Sequence, residues 1–221
     1  MSREYDTLLG LFSLGRDRVW RKRVILESRP NSHSMVLDLA AGTCLLAKDF
    51  LTNFSGGVNV AAVDYSREML RQGKENLMRK GLAEAVEFVN ARAENLPFLQ
   101  GSFEIVAIAL ALRNLSDVPT TLKEMARVSK VGGKVFTLDF SRPPNRLFRR
   151  LYYLYLFHVM PKIGRLVSRE WQNLLVYLAH SIRRALSPEQ IRQLMMQTGL
   201  VRVRSVSLTW GVVTIMQGER V

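Results

Sequence analysis

The run Met35-Val36-Leu37-Asp38-Leu39-Ala40-Ala41-Gly42-Thr43, followed by Val60-Ala61-Ala62-Val63-Asp64, constrains the fold more than any other part of the chain. Each piece is a short apolar run ending in a carboxylate. The first breaks at a turn of small residues, and a helical pattern from Leu45 to Phe54 separates the two. The spacing predicts a β-turn-α-β unit with an acid at the tip of each strand. Small residues in such a turn let backbone N–H groups approach a bound molecule closely.

The rest of the chain continues that rhythm. Further strand signals lie at Val86–Asn90, Phe103–Leu110, Lys134–Phe140, Val201–Leu208 and Val212–Gln217, with helical patterns at Ser66–Lys80, Val118–Ser129 and Pro188–Gln197. Ser187 caps a helix opened by Pro188, and Gly132-Gly133 and Gly199 read as helix stops. Alternating strands and helices imply a parallel sheet covered on both faces. The last two strands are joined only by Thr209 to Gly211, too short for a parallel crossover, so they form an antiparallel hairpin. The expected fold class is therefore α/β and Rossmann-like, a mostly parallel seven-stranded sheet with a C-terminal antiparallel hairpin. Asn145 to Gly164 departs from the pattern: it is apolar nearly all round, with Arg146, Arg149 and Arg150 at one end, and it reads as an inserted cap helix. A helix of that kind wants burial on several sides or a lipid-like ligand. The expected division is a helical lid at 1–29, a cofactor-binding core at 30–141, the cap at 142–186, and a final helix and hairpin at 187–221, all in one domain.

Charge follows the same division. The net charge of +13 among 221 residues is absent from the core, where basic and acidic residues cancel, and concentrated in the flanks, above all after residue 141. Basic flanks suit a polyanion, either nucleic acid or an anionic membrane surface. The single cysteine, Cys44, rules out an intrachain disulfide and fits a reducing compartment. Met1 to Leu14 lacks the pattern of a secretory signal, and the longest apolar stretches fall short of a bilayer span.

In open α/β sheets, ligands bind beyond the carboxyl ends of the strands near the topological switch point. There Asp38 would orient the amino-acid part of a nucleoside cofactor, and Ala40, Gly42 and Thr43 would offer backbone contacts. Asp64, beside Tyr65, would accept ribose hydroxyls, and Arg92-Ala93-Glu94 would meet an adenine edge. A dinucleotide needs Gly-x-Gly-x-x-Gly to admit its pyrophosphate. Only Gly42 is available here, which favours S-adenosylmethionine (AdoMet) over NAD. The plainer alternative is that Asp38 and Asp64 merely cap the helices that follow them. No metal ligands are assigned.

Beyond these general features, specific segments resemble the ubiquinone/menaquinone biosynthesis C-methyltransferases of the UbiE type. They are Tyr5-Asp6 with Ser13, Gly15, Arg18 and Trp20-Arg21-Lys22; Ala93 to Phe98; Leu112-Arg113-Asn114-Leu115-Ser116-Asp117; Asp139-Phe140-Ser141-Arg142-Pro143; Phe157 to Gly164; and Leu208 to Val213. The resemblance implies AdoMet bound near Thr43, Asp64, Arg92, Ala93 and Ala109, and methylation of a ring carbon on a polyprenylated benzoquinol or naphthoquinol. The chain departs from the family pattern where Leu9, Asp17, Cys44, Leu45, Arg92, Ala109, Asp139 and His180 replace more usual residues.

That chemistry needs a phenol hydroxyl, ordinarily near pKa 10, to lose its proton as the neighbouring carbon attacks. Arg113 is the first candidate to stabilise the phenolate or position a proton-accepting water, with pairing to Asp117 as its bland alternative. His158 is the candidate general base, and Tyr5 and Asp6 are placed to close over the ring. The expected partners are the quinol and an anionic membrane surface, with the protein cytoplasmic and peripheral to the inner face of the membrane. A homodimer or a quinone-biosynthesis complex is left open. Nucleic acid is the less favoured partner, since no base-gripping Asn-Pro-Pro-Tyr-like strand end and no catalytic cysteine pair is present. Another lipophilic acceptor and a weakly active AdoMet-binding paralogue are the remaining alternatives.

Overall fold

The computed structural model describes residues 2–54 and 56–221, with the side chains of residues 2–5 and 8 outside that description. Seven strands form one sheet in the order β3-β2-β1-β4-β5-β7-β6. Its strands are β1 (Ser34–Leu39), β2 (Val58–Asp64), β3 (Val86–Asn90), β4 (Phe103–Ala109), β5 (Ser129–Phe140), β6 (Leu200–Leu208) and β7 (Val213–Arg220). The first five pair in parallel, and β7 pairs antiparallel with both β5 and β6. Rossmann-like order and the terminal hairpin are as expected.

The period of two in each strand produces two cores. Val36, Val60, Ala62, Ile105 and Leu138 face one side of the sheet, while their neighbours Leu37, Ala61, Val63, Val106 and Val135 face the other. Against the first side pack α1 (Ser2–Phe12), α2 (Asp17–Ser28), α3 (Leu45–Asn53) and α8 (Arg169–Arg184); against the second pack α5 (Val118–Val128) and α9 (Pro188–Gln197). Side-chain caps fix several helix starts: Ser66 before α4 (Arg67–Met78), Asp117 before α5, and a reciprocal Ser187–Gln190 box before α9.

Two expectations need correction. Gly132-Gly133 do not stop a helix: α5 ends at Val128, and both glycines lie inside β5. The β4–β5 ladder jumps from Phe103–Ser129 to Ile105–Lys134, so the intervening residues bulge out of register. Gly132 takes φ +74°, and a Cβ on Gly133 would stand 2.7 Å from the Lys130 carbonyl oxygen. The glycines serve the bulge.

The second correction concerns the insertion. Asn145 caps α6 (Arg146–Leu154), which runs through a π-helical turn (Tyr155–Val159) into α7 (Met160–Val167). Ser168 then turns the chain into α8, making a helical hairpin. Gly164 sets the closeness of that hairpin, since a Cβ there would meet Leu175 Cδ1 at 2.8 Å and Gln172 Cα at 3.0 Å. Burial is on one side only. Tyr152, Leu156, Met160 and Gly164 point inward, whereas Leu147, Leu151, Leu154 and Leu166 are exposed. Among the described residues, no helix is long and apolar enough to cross a membrane.

Candidate active site

Sheet order reverses on either side of β1, and a cavity of about 430 Å³ opens there, beyond the carboxyl ends of β1, β2 and β4. All nine residues expected to hold a cofactor line it: Asp38, Ala40, Gly42, Thr43, Asp64, Tyr65, Arg92, Ala93 and Ala109.

The turn after β1 is built from left-handed backbone, with φ +52° at Ala40, +55° at Gly42 and +61° at Cys44. Two acids pin it. Asp64 Oδ2 accepts the Gly42 N–H at 2.8 Å, and its Oδ1 accepts the Ser66 N–H at 2.8 Å. A carboxylate oxygen has two lone pairs, so each retains one for a ligand. Asp38 Oδ2 accepts the Ala47 N–H at 2.9 Å, inside the first turn of α3. The capping alternative is thus realised for Asp38, whereas α4 is capped by Ser66 and Asp64 only holds that cap's own N–H; both acids line the cavity as well. Burial pushes the Asp38 carboxyl up to about 7, against the pull of its hydrogen bond from Ala47. Cys44 is accommodated by Gly73 on α4. A Cβ on Gly73 would lie 2.5 Å from the Cys44 sulfur. Burial, followed by the nearby Asp38 and Asp64 charges, pushes that thiol up, so it stays protonated.

On the far rim, the Arg92 guanidinium lies 5.4 Å from the Tyr65 ring centroid and 3.6 Å from Glu94 Oε2. Ser116 donates to Glu94 Oε1 at 2.8 Å and, more than any other cause, holds that carboxyl below its usual range.

The N-terminal helices close over the near side. Thr43 donates its hydroxyl to Asp6 Oδ1 at 2.5 Å. Burial raises the Asp6 carboxyl, and the Thr43 hydrogen bond opposes that rise. Within the basic N-terminal flank, Arg21 departs from the other cations: it is buried and lines the cavity. Its Nε donates to Asp49 Oδ2 at 2.6 Å and its Nη1 to Asp17 Oδ2 at 2.8 Å, tying α2 to α3. Trp20 is core as well, donating from Nε1 to Thr209 Oγ1 at 2.8 Å. Leu9 completes this wall.

The four residues expected to act on the acceptor fare differently. Tyr5 lies in α1, but its side chain falls outside the described residues. Asp6 is at the cofactor turn. Arg113 is held behind the cavity wall, its side chain only 4% exposed, and pairs with Asp139 at 2.7 Å; Asp117 is occupied capping α5. The Arg113 backbone N–H also donates to Asp139 Oδ2, Nη1 to the Leu110 carbonyl, and Nε to Ser181 Oγ. Nη2 makes no hydrogen bond to any described residue, and the guanidinium sits 5.0 Å from the Phe140 ring centroid. His158 is exposed on the π-helical turn and does not line the cavity, because the wider turn keeps Leu156 and Met160 inward and His158 outward.

Tyr152 was missed. Its side chain belongs to the apolar cluster that holds Leu110 and Phe140, and its hydroxyl is buried with no partner among the described residues. Burial raises its pKa while the positive charge of Arg113 lowers it, which puts the two groups in one field. An unpaired buried hydroxyl costs about 1–3 kcal/mol and asks for a reason. In sequence it is one tyrosine in an aromatic run, with nothing to set it apart.

The cavity suits AdoMet on its own geometry. It offers carboxylates at two strand ends, a turn with close backbone N–H groups, and an apolar wall of Leu39, Val63, Ala91 and Leu115 for a base. The known proteins agree. A solved AdoMet-dependent methyltransferase from Aquifex aeolicus superposes with a TM-score of 0.68 at 16% identity over 98% of each chain, which establishes the shared fold. At the sequence level, a curated ubiquinone/menaquinone biosynthesis C-methyltransferase from Hahella chejuensis is 36% identical over 98% of this chain and 87% of its own length. One of the same description from Shewanella woodyi is 36% identical over 98% and 86%. The model of the ubiE/COQ5 methyltransferase family matches residues 1–220, helical insertion included. The chain therefore belongs to the ubiE/COQ5 family and is an AdoMet-dependent methyltransferase.

Proposed function

We propose that the protein methylates a ring carbon of a polyprenylated benzoquinol or naphthoquinol at the surface of an anionic membrane, a reading supported by relatives named as ubiquinone/menaquinone biosynthesis C-methyltransferases. The observation that carries this reading is a buried cation, Arg113, against the Phe140 ring, and a buried phenol, Tyr152, without a partner among the described residues in the apolar cluster that holds Phe140 and Leu110, the latter a lining residue of the AdoMet cavity. An apolar ring bearing hydroxyl groups is what such a pair would hold. When bound, AdoMet supplies a methyl group on a positively charged sulfur.

Asp64 and the N–H groups of the turn would hold the cofactor's ribose, and Asp38 would face its amino-acid part. The Thr43–Asp6 bond and the Arg21 ion pairs keep α1 and α2 seated over the site, excluding water. Holding both reactants in place supplies much of the rate. Arg113, oriented by Asp139, directs its unused Nη2 toward the ring oxygen and stabilises the phenolate. Tyr152 donates to the same oxygen. With AdoMet bound, the ring carbon would take the methyl while the carbon–sulfur electron pair stays with sulfur; the phenol proton and the displaced ring proton would both pass to water. His158, exposed and outside the cavity, has no part in this scheme.

The test is incubation with labelled AdoMet and a membrane lipid extract, followed by mass analysis. Label in a quinone supports the reading. Label only in phospholipid, or in added RNA, would replace the acceptor.

A further inference from the structure

The outward side of the helical insertion is an unusual surface. Leu147, 71% exposed, Leu151 and Leu154 share one side of α6, and Leu166, 88% exposed, continues the row on α7. The π-helical turn keeps the row in phase. Inward residues recur at 152, 156, 160 and 164, a spacing that an unbroken α-helix would let drift around its axis. Trp210, 80% exposed, extends the patch: it meets Phe148 edge-on at 5.2 Å, and its turn packs on Pro144, just before α6. Exposed Arg146, Arg150, Lys162 and Arg165 flank the row. Among the described residues, none of them has a carboxylate within ion-pair distance, unlike Arg23, Arg71, Arg127 and Arg202.

A row of large exposed apolar side chains is abnormal for a surface that meets only water. A helix with leucines outward, cations along its flanks and a tryptophan at one end is the pattern of a segment lying in the headgroup layer of a bilayer. We propose that the outer face of α6, the π-helical turn and α7, with Trp210, is the surface by which the protein docks on anionic lipid. This rests on the membrane part of the reading above and adds the residues that make the contact. Unpaired cations select the occupant. A protein partner would leave them to find acids one by one, whereas an anionic lipid surface neutralises them all.

Sedimentation with phosphatidylcholine vesicles, with and without phosphatidylglycerol, tests it. The triple variant Leu147→Ser, Leu151→Ser, Leu154→Ser changes only exposed side chains. It is expected to lower binding to mixed vesicles by roughly tenfold or more. Arg146→Gln with Arg150→Gln should cost about fivefold per arginine on mixed vesicles and leave binding to pure phosphatidylcholine unchanged. AdoMet affinity and turnover of a short-tailed, water-soluble quinol should stay at parental values in both variants. If the triple variant sediments like the parent, the docking face is wrong. So it is if the parent ignores vesicles while these residues support RNA retention or self-association. A parent that docks but never methylates the short quinol would sink the acceptor assignment and leave the docking face standing.

Discussion

Around Asp64 both carboxylate oxygens are engaged by backbone N–H groups and still face a cavity; around Leu147 the side chain touches mostly solvent. The core, residues 30–141, and the insertion, residues 142–186, differ in this way throughout. Positive-φ residues, capped helix starts and buried acids fix the core to a particular ligand shape. The insertion is a helical hairpin that buries one apolar side and leaves Leu147, Leu151, Leu154 and Leu166 on the other. A nucleoside cofactor is small and polar, so its site needs fixed donors and acceptors. A prenylated acceptor is long and apolar, so its access needs surface. The two halves meet at Arg113, whose neighbour Asn114 lines the cofactor cavity while its own Nε reaches Ser181 on α8.

The largest expected effect breaks the seam between the lid and the core. Arg21→Met leaves Asp17 and Asp49 buried without their cation, and losing one partner of a buried pair costs about 3–5 kcal/mol. Chemical denaturation should show that loss, and a change under about 1 kcal/mol would mean the cluster is solvated in practice. Asp64→Ala comes next: it frees the Gly42 and Ser66 N–H groups and removes the ribose acceptor. AdoMet affinity by calorimetry should fall about a hundredfold, with quinol-independent properties of the insertion, such as vesicle docking, unchanged. A parallel loss of docking would deny that the two regions are separable.

Asp38 sharpens the comparison through pH. Its carboxyl, ordinarily near 3.8, is raised to about 7 by burial. A raised carboxyl favours the protonated folded state, so its stabilising contribution is complete below pH 3.8 and is lost as pH rises through about 7. Across that window the ligand-free protein should lose a few kcal/mol of stability. In Asp38→Asn, which keeps an acceptor for the Ala47 N–H, that slope should flatten. An unchanged slope assigns the pH dependence to another group.

Much of this was legible in the sequence, and what was not has physical causes. β3 and α9 begin and end where their patterns predict, because period-two and period-3.6 burial and a proline after a serine are local signals. That the nine expected cofactor residues would line one cavity was legible because strand ends at a switch point converge whatever the loops do. The β5 bulge was not, since paired glycines after a helix read equally well as a helix stop. Arg21 was hidden inside a basic run whose other members are exposed, and only its two acids, one on α2 and one on α3, reveal it as buried. Tyr152 was hidden for the opposite reason: an apolar run does not say which hydroxyl will lack a partner.

Tyr152→Phe has a smaller effect, and its sign on stability is diagnostic. With no partner for the hydroxyl, the variant should be as stable as the parent or about 1 kcal/mol more so, while turnover of quinol falls about tenfold with AdoMet affinity unchanged. Lower stability would mean that the hydroxyl is satisfied in the folded protein and is structural.

The smallest expected effect belongs to His158, where sequence and structure part most sharply. An imidazole in a segment shared with the family is a natural general base by titration alone. The fold places it on the exposed side of the π-helical turn, with Leu156 and Met160 taking the inward positions. A base must come within hydrogen-bond reach of the proton it takes, or within one water of it, and the cavity is lined without it. His158→Gln should therefore leave turnover of a short, soluble quinol within about twofold of the parent at every pH, and any loss should appear only when the acceptor is presented in anionic vesicles. A loss on the soluble quinol that is steepest around neutral pH would return His158 to the chemistry and require α6 and α7 to rotate inward when the acceptor binds.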